Sequence, residues 1–163
     1  MASLLAPAFP AIAAHIEVQA GRSYTDNKGS AAVFVEGVLD EHQLGRTSFT
    51  WAPDVSLGWI EGHDINGFRH DRYDPRKGVL LVAAGARFHY GVEGAWYRPL
   101  FFSFQPALAN RRTLALGTPY EFVSTLGWQG QRFSFQIRHI SNGDLGGPNR
   151  GETMALVGIG FDL

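Results

Sequence analysis

The chain has 163 residues, enough for one domain, and its 14 Lys and Arg nearly balance 15 Asp and Glu for a net charge of −1. That balance provides no basic field for nucleic acid, and the absence of cysteine excludes a disulfide framework and thiol chemistry while leaving an oxidising compartment open. An aromatic content of 13% and 20 glycines, beside only two lysines, favour strands and turns over helices.

Residues 1–14 stand apart. Leu4 to Ala14 are small and apolar, interrupted by Pro7 and Pro10, and close as Ala11-Ile12-Ala13-Ala14. This reads as the end of a secretory signal peptide with a cleavage point near Ala13 or Ala14, although no positively charged segment precedes it. The alternative is a flexible apolar arm. No later segment reaches the ~18 uninterrupted apolar residues of a membrane helix.

From residue 15 onward, alternation of apolar and polar residues recurs in eight runs. Residues 15–24 set Ile16, Val18 and Ala20 against Glu17 and Gln19, and 31–39 are mostly apolar, so their facing stays open. The run 47–60 is the clearest, with Phe49, Trp51, Pro53, Val55, Leu57 and Trp59 opposed by Ser48, Thr50, Asp54, Ser56 and Gly58. In 79–90, Leu80, Val82, Ala84, Ala86, Phe88 and Tyr90 oppose Gly85, Arg87 and His89. Run 96–108 sets Leu100, Phe102 and Phe104 against Ser103 and Gln105, and run 119–129 sets Tyr120, Phe122, Leu126 and Trp128 against Glu121, Thr125 and Gln129. Residues 133–142 place Phe133, Phe135 and Ile137 opposite Ser134, Gln136 and Arg138. The last run, 153–163, places Ala155, Val157, Ile159, Phe161 and Leu163 opposite Gly158, Gly160 and Asp162.

Strands of about ten residues with one apolar and one polar face predict an all-β, eight-stranded antiparallel transmembrane barrel over residues 15–163, apolar side outward. A soluble barrel or sandwich would bury the same apolar faces instead. Two features favour the membrane. The polar faces carry glycine and charge (Glu17, Asp54, Arg87, Glu121, Arg138), as a narrow lumen requires, and several apolar runs end in Trp59, Tyr90, Trp96 or Trp128, where interface girdles lie. With a periplasmic N-terminus, the connections 25–30, 61–78, 109–118 and 143–151 face outside and are mostly longer than 40–46, 91–95 and 130–132. Arg87, Arg138 and Glu121 are expected in a lumen salt-bridge network.

One run breaks its own pattern. After Phe133, Phe135 and Ile137 the same face continues as His139 and Ser141, about 7 Å apart along a pleated strand. An ionisable group on a lipid-facing surface is costly and commonly functional. Hydroxyl and imidazole together form the nucleophile–base pair of acyl transfer, and Glu152, across the outer hairpin, supplies an acidic group that can orient the base. The plain alternative is an interfacial His and Ser leaving the membrane where water begins.

The segment Arg138-His139-Ile140-Ser141-Asn142-Gly143, followed by Pro148-Asn149-Arg150-Gly151-Glu152, resembles the C-terminal signature of the PagL-type lipid A 3-O-deacylases. In that family a His-x-Ser-Asn tetrapeptide precedes Pro-Asn-x-Gly and an acidic or amide residue. The resemblance implies Ser141 as nucleophile, His139 as general base, Glu152 as orienter, and Asn149 with N–H groups near Asn142 and Gly143 as oxyanion donors. It implies lipid A, an outer-membrane lipopolysaccharide component, as substrate, with no cofactor or metal. Two departures stand out: Ser-Asn-Gly-Asp replaces Ser-Asn-Ala-Gly, and the stretch from His139 to Glu152 is one residue shorter than in the best-known member.

Outer-loop cations Arg69, Arg72, Arg76, Lys77, Arg111, Arg112, Arg150 and Lys28 suit contact with lipid A phosphates, the sharpest candidates being Arg111, Arg112 and Arg150. A solvated loop face is the alternative, since Asp64, Asp71 and Asp74 share the long loop. His63, His70 and those aspartates lack metal-ligand spacing, so no metal is expected. The expectation is therefore an outer-membrane serine esterase of lipid A, in contact with outer-membrane lipids and not with nucleic acid. Its rivals are a non-enzymatic barrel acting as adhesin or structural protein, in which His139 and Ser141 are expendable, and a soluble lipocalin-type barrel.

Overall fold

The computed structural model of the chain describes residues 14–25, 28–62, 77–146 and 150–163. The expected signal remnant, apart from Ala14, lies outside the described residues, as do His63, Asp64, Arg69, His70, Asp71, Arg72, Asp74 and Arg76 of the long loop and Asn149.

Alternation becomes strand wherever it was expected. The elements are β1 (His15–Thr25), β2 (Lys28–Val38), β3 (His42–Gln43), β4 (Phe49–Ile60), β5 (Val79–Tyr90), β6 (Leu100–Ala109), β7 (Tyr120–Gln129), β8 (Phe133–Ser141) and β9 (Glu152–Asp162). Every ladder is antiparallel. Pairing of β1 with β9, from His15↔Asp162 to Tyr24↔Thr153, and of β2 with β4, from Ala32↔Ile60 to Val38↔Asp54, closes eight strands into a barrel without edges. The short β3 only extends β4 at one rim through His42↔Trp51.

Several boundaries differ from expectation, among them the start of β4 at Phe49 rather than residue 47. The first outer connection is tighter than 25–30, because β1 runs to Thr25 and β2 starts at Lys28. Next, β6 begins at Leu100 rather than near residue 96. Backbone hydrogen bonds Ala95 N to Val92 O, Arg98 N to Ala95 O and Leu100 N to Tyr97 O, at 3.0–3.2 Å, fold that segment into turns and leave Trp96 exposed in them. Finally, β9 starts one residue earlier, at Glu152.

The side chains sort in the opposite sense to a soluble protein. Leu126 is 65% exposed, Ile137 63% and Phe135 57%, while Glu17, Gln19, Glu36, Asp54, Arg87, Gln105 and Arg138 are buried inside. A continuous wall of such residues in water would be an aggregation surface, so the wall is built for lipid. This barrel crosses a membrane with its apolar faces outward.

The lumen is filled in two layers. In one, Glu36 lies between Arg138, 2.8 Å from its Oε2, and Arg87, 3.2 Å from its Oε1. Asp54 is 3.6 Å from Arg87 Nε and accepts from Ser103 Oγ at 2.6 Å. The guanidiniums also lie over Phe101 and Phe34, at 4.0 and 4.5 Å from the ring centroids. Glu36 and Asp54 are thus the acids this network uses; Glu121, the acid expected there, accepts at 3.3 Å from the N–H and O–H of Thr118, near the outer rim.

The second layer, toward the outer end, is apolar rather than polar: Phe34, Ile60, Leu81, Val123, Ile140, Met154 and Leu156 pack together with Ala115 and Leu116 of the outer connection 110–119. That settles the facing of β2, whose Ala32 and Phe34 point inward and Val33 and Val35 outward. The connection is held down by Thr113 N to Leu116 O at 2.8 Å and by Gly151 N to Ala115 O at 2.9 Å.

Candidate active site

On β8 the inward residues are Ser134, Gln136, Arg138 and Ile140, so parity puts Phe133, Phe135, Ile137, His139 and Ser141 on the outer wall. His139 is exposed and Ser141 half-buried. Across the ladders, His139 lies opposite Ser124 of β7 and Thr153 of β9, and Ser141 opposite Phe122. A row of polar side chains, Ser124, His139 and Thr153, therefore crosses three strands of an otherwise apolar wall, with Ser141 next to it toward the outer rim. Ser124 and Thr153 were not singled out from sequence. Their signal was available, since both interrupt the apolar parity of their runs at the outer end.

His139 is oriented by two neighbours. Its Nδ1 is 2.9 Å from Thr153 Oγ1. Its other ring edge lies against Gly151, where an added Cβ would come within 2.8 Å of Cε1 and 3.1 Å of Nε2, and where φ is +71°. Glycine is the residue that tolerates both the left-handed backbone and the ring above it.

The structure brings His139 and Ser141 onto one face and sets Glu152 on the other. Glu152 pairs with Ile140 on the ladder, is buried on the inner side of β9, and accepts a hydrogen bond from Ser23 of β1. The reason is strand parity: one residue of offset along β9 moves a side chain from wall to lumen. Glu152 therefore faces the lumen, and Thr153 is the residue across from the imidazole.

Asn142 follows Ser141 and points inward, with its amide 3.4 Å from Thr118 Oγ1 and its Oδ1 accepting from Asp144 N at 2.8 Å. It builds the turn that carries Gly143, Asp144 and Gly146 through left-handed φ values of 61°, 60° and 84°. Gly143 is exposed at that turn, and Arg150 is exposed beside the start of β9. Arg111 is half-buried and Arg112 exposed in connection 110–119, which the bond between Gly151 N and Ala115 O ties to the same rim.

Below the polar row, an apolar groove of about 620 Å³ crosses β6 to β9 and β1, lined by Ile137, Phe135, Leu126, Trp128, Ala155 and Val157 among others. It starts at the residues directly inward of His139 along the wall. A second cavity, of about 1100 Å³ and polar in part, opens at the opposite mouth among Glu41, Thr50, His89, Arg98 and Gln129, at the far end of the strands from His139.

The family model for lipid A 3-O-deacylase (PagL) matches residues 37–162. The chain belongs to this family. No curated protein and no solved structure matches it. PagL membership makes the chain a lipid A deacylating hydrolase on an outer-membrane type of eight-stranded barrel, and the matched residues include the polar row and the groove's walls on β6 to β9.

Proposed function

We propose that the protein is a serine esterase of the bacterial outer membrane that hydrolyses the ester-linked 3-hydroxyacyl chain at the 3-position of lipid A. The observation that carries this reading is that His139 and Ser141 share the lipid-facing side of β8, at the water-side end of an apolar groove. The outer leaflet holds its lipid's acyl chains parallel to such a wall, so the substrate reaches the site without entering the filled lumen.

In this mechanism Ser141 Oγ attacks the ester carbonyl while His139 takes its proton. His139 then returns the proton to the departing sugar oxygen, and the acyl chain stays on Ser141. Water, deprotonated by His139, attacks the acyl-serine, releasing the 3-hydroxy fatty acid and restoring Ser141. Backbone N–H groups at Asn142 and Gly143, with the Asn149 side chain, are the proposed oxyanion donors. The groove lined by Ile137, Phe135 and Leu126 takes the acyl chain, and Arg111, Arg112 and Arg150 take phosphate at the rim. Glu152, the third residue of the Ser–His–Glu grouping, acts in this reading from the inner face, where its bond with Ser23 ties β1 to β9 beside the site.

The test is release of 3-hydroxy fatty acid from purified lipid A in detergent. Ser141→Ala and His139→Asn should each abolish release while the barrel still shows its heat-dependent gel shift, and the double variant should be scarcely worse than either, because such residues act as a unit. A folded Ser141→Ala protein that releases the acid at the native rate would falsify the esterase mechanism and leave a barrel whose His139 and Ser141 are expendable.

A further inference from the structure

The side chain that meets His139 Nδ1 is a neutral hydroxyl, and Glu152, the carboxylate beside it on β9, points the other way. We propose that Thr153, not Glu152, is the positioning residue that orients the ring of His139. The inference rests on the esterase reading above and names the group that orients its base.

Thr153 stands directly opposite His139 on the β8–β9 ladder, so the contact is set by strand register rather than by a loop. The 2.9 Å contact between Nδ1 and Thr153 Oγ1 sets the plane of the ring, and in the tautomer whose Nδ1–H donates to that oxygen Nε2 carries the lone pair that takes the Ser141 proton. Gly151 completes the seat: its bare Cα lets the Cε1–Nε2 edge lie against the start of β9. A carboxylate at position 152 cannot replace this contact by rotating about its own bonds, because its Cβ leaves the strand on the lumen side.

A hydroxyl orients the imidazole but brings no negative charge to the imidazolium that forms during attack. Replacing it with a carboxylate should therefore do two things that a merely structural residue would not. It should raise the maximal rate, and it should move the acid limb of the pH–rate profile to higher pH, since a neighbouring negative charge holds the proton on the base.

The experiment compares Thr153→Val, Thr153→Ser, Thr153→Glu, Glu152→Gln and Ser141→Ala as folded barrels, reading kcat, KM and the pH profile on lipid A. Thr153→Val, which keeps the shape, should lose roughly tenfold or more in kcat with KM little changed. Thr153→Ser should restore most of that loss, and Thr153→Glu should shift the acid limb upward. Glu152→Gln should lose less in kcat than Thr153→Val. The proposal is overturned if Thr153→Val retains native kcat while Ser141→Ala is inactive, or if folded Glu152→Gln loses more than Thr153→Val. Activity in Ser141→Ala would instead bring down the esterase reading itself, so the two failures are separable.

Discussion

Removing the charge of Glu36 should damage the barrel more than any change on its wall. Glu36 is fully buried and is shared by two buried guanidiniums, Arg138 at 2.8 Å and Arg87 at 3.2 Å. Glu36→Gln keeps the volume but leaves the two cations with Asp54, 3.6 Å from Arg87, and the buried Glu17, joined to Arg138 through Gln136, as the remaining acids. Breaking one partner out of a buried ion pair typically costs about 3–5 kcal/mol. At ~1.4 kcal/mol per factor of ten, that lowers the ratio of folded to unfolded chain by roughly two to three and a half powers of ten. Urea unfolding in lipid vesicles, followed by tryptophan fluorescence and by the gel shift, measures it. Glu36→Gln combined with Arg138→Met should recover much of the loss, because the double variant removes a pair rather than orphaning a charge. A single variant within ~1 kcal/mol of the native protein would refute the view that this network is a closed set of charges and not a hydrated one.

Two further outcomes are expected. Replacing both Arg111 and Arg112 with Ala should weaken engagement of phosphorylated lipid A while leaving hydrolysis of a short neutral ester largely intact; equal loss on both substrates would make the arginines structural. At the inner mouth, partial burial works against ionisation of Glu41, but hydrogen bonds from Arg98 and Thr50 outweigh it and hold the carboxyl below its ordinary range. Its stabilising effect is therefore complete above the ordinary carboxylate pKa and is lost as pH falls through the lowered value. Melting curves of Glu41→Gln and the native chain should separate slightly near neutral pH, by less than about 1 kcal/mol for so exposed a pair, and converge in acid. A constant separation across the range would remove the ion pair as its cause.

The barrel was legible because its period is two and its two faces meet different solvents. Phe49 to Trp59 and Leu80 to Tyr90 declare their facing residue by residue, and seven of the eight runs in all set an apolar face against a polar one. The exceptions have physical causes. β2 is apolar on both faces because Phe34 and Ala32 enter an apolar layer of the lumen, which no alternation reveals. Register across the outer hairpin was hidden for a different reason: it depends on a turn with left-handed residues at Gly143, Asp144 and Gly146, so the partner of His139 on β9 cannot be counted through it, although the parity of Ala155, Val157 and Ile159 already sends Glu152 inward. His139 and Ser141 were legible because they precede the turn. The outward facing of Ser124 and Thr153 was open to the same parity reading, but their standing opposite His139 required the ladder.

On the proposed esterase reading, that ladder also couples the charged lumen to the site on the outer wall. His139 sits between Arg138 and Ile140, both fully buried. One is held by Glu36, by Thr125 at 3.1 Å and by the Phe34 ring; the other is packed in the apolar layer with Val123 and Met154. β8 is therefore pinned from within on either side of the imidazole, and neither pin touches substrate. A lipid-facing site has no pocket walls to hold its residues, since the acyl chains of the membrane are fluid on that side. Rigidity has to come through the strand from the inner face, by the same alternation that presents His139 outward. Variants that loosen Arg138 or Glu36 without unfolding the barrel should then lose rate on lipid A with His139, Ser141 and Thr153 all intact, because the ladder that aligns them has lost its inner support.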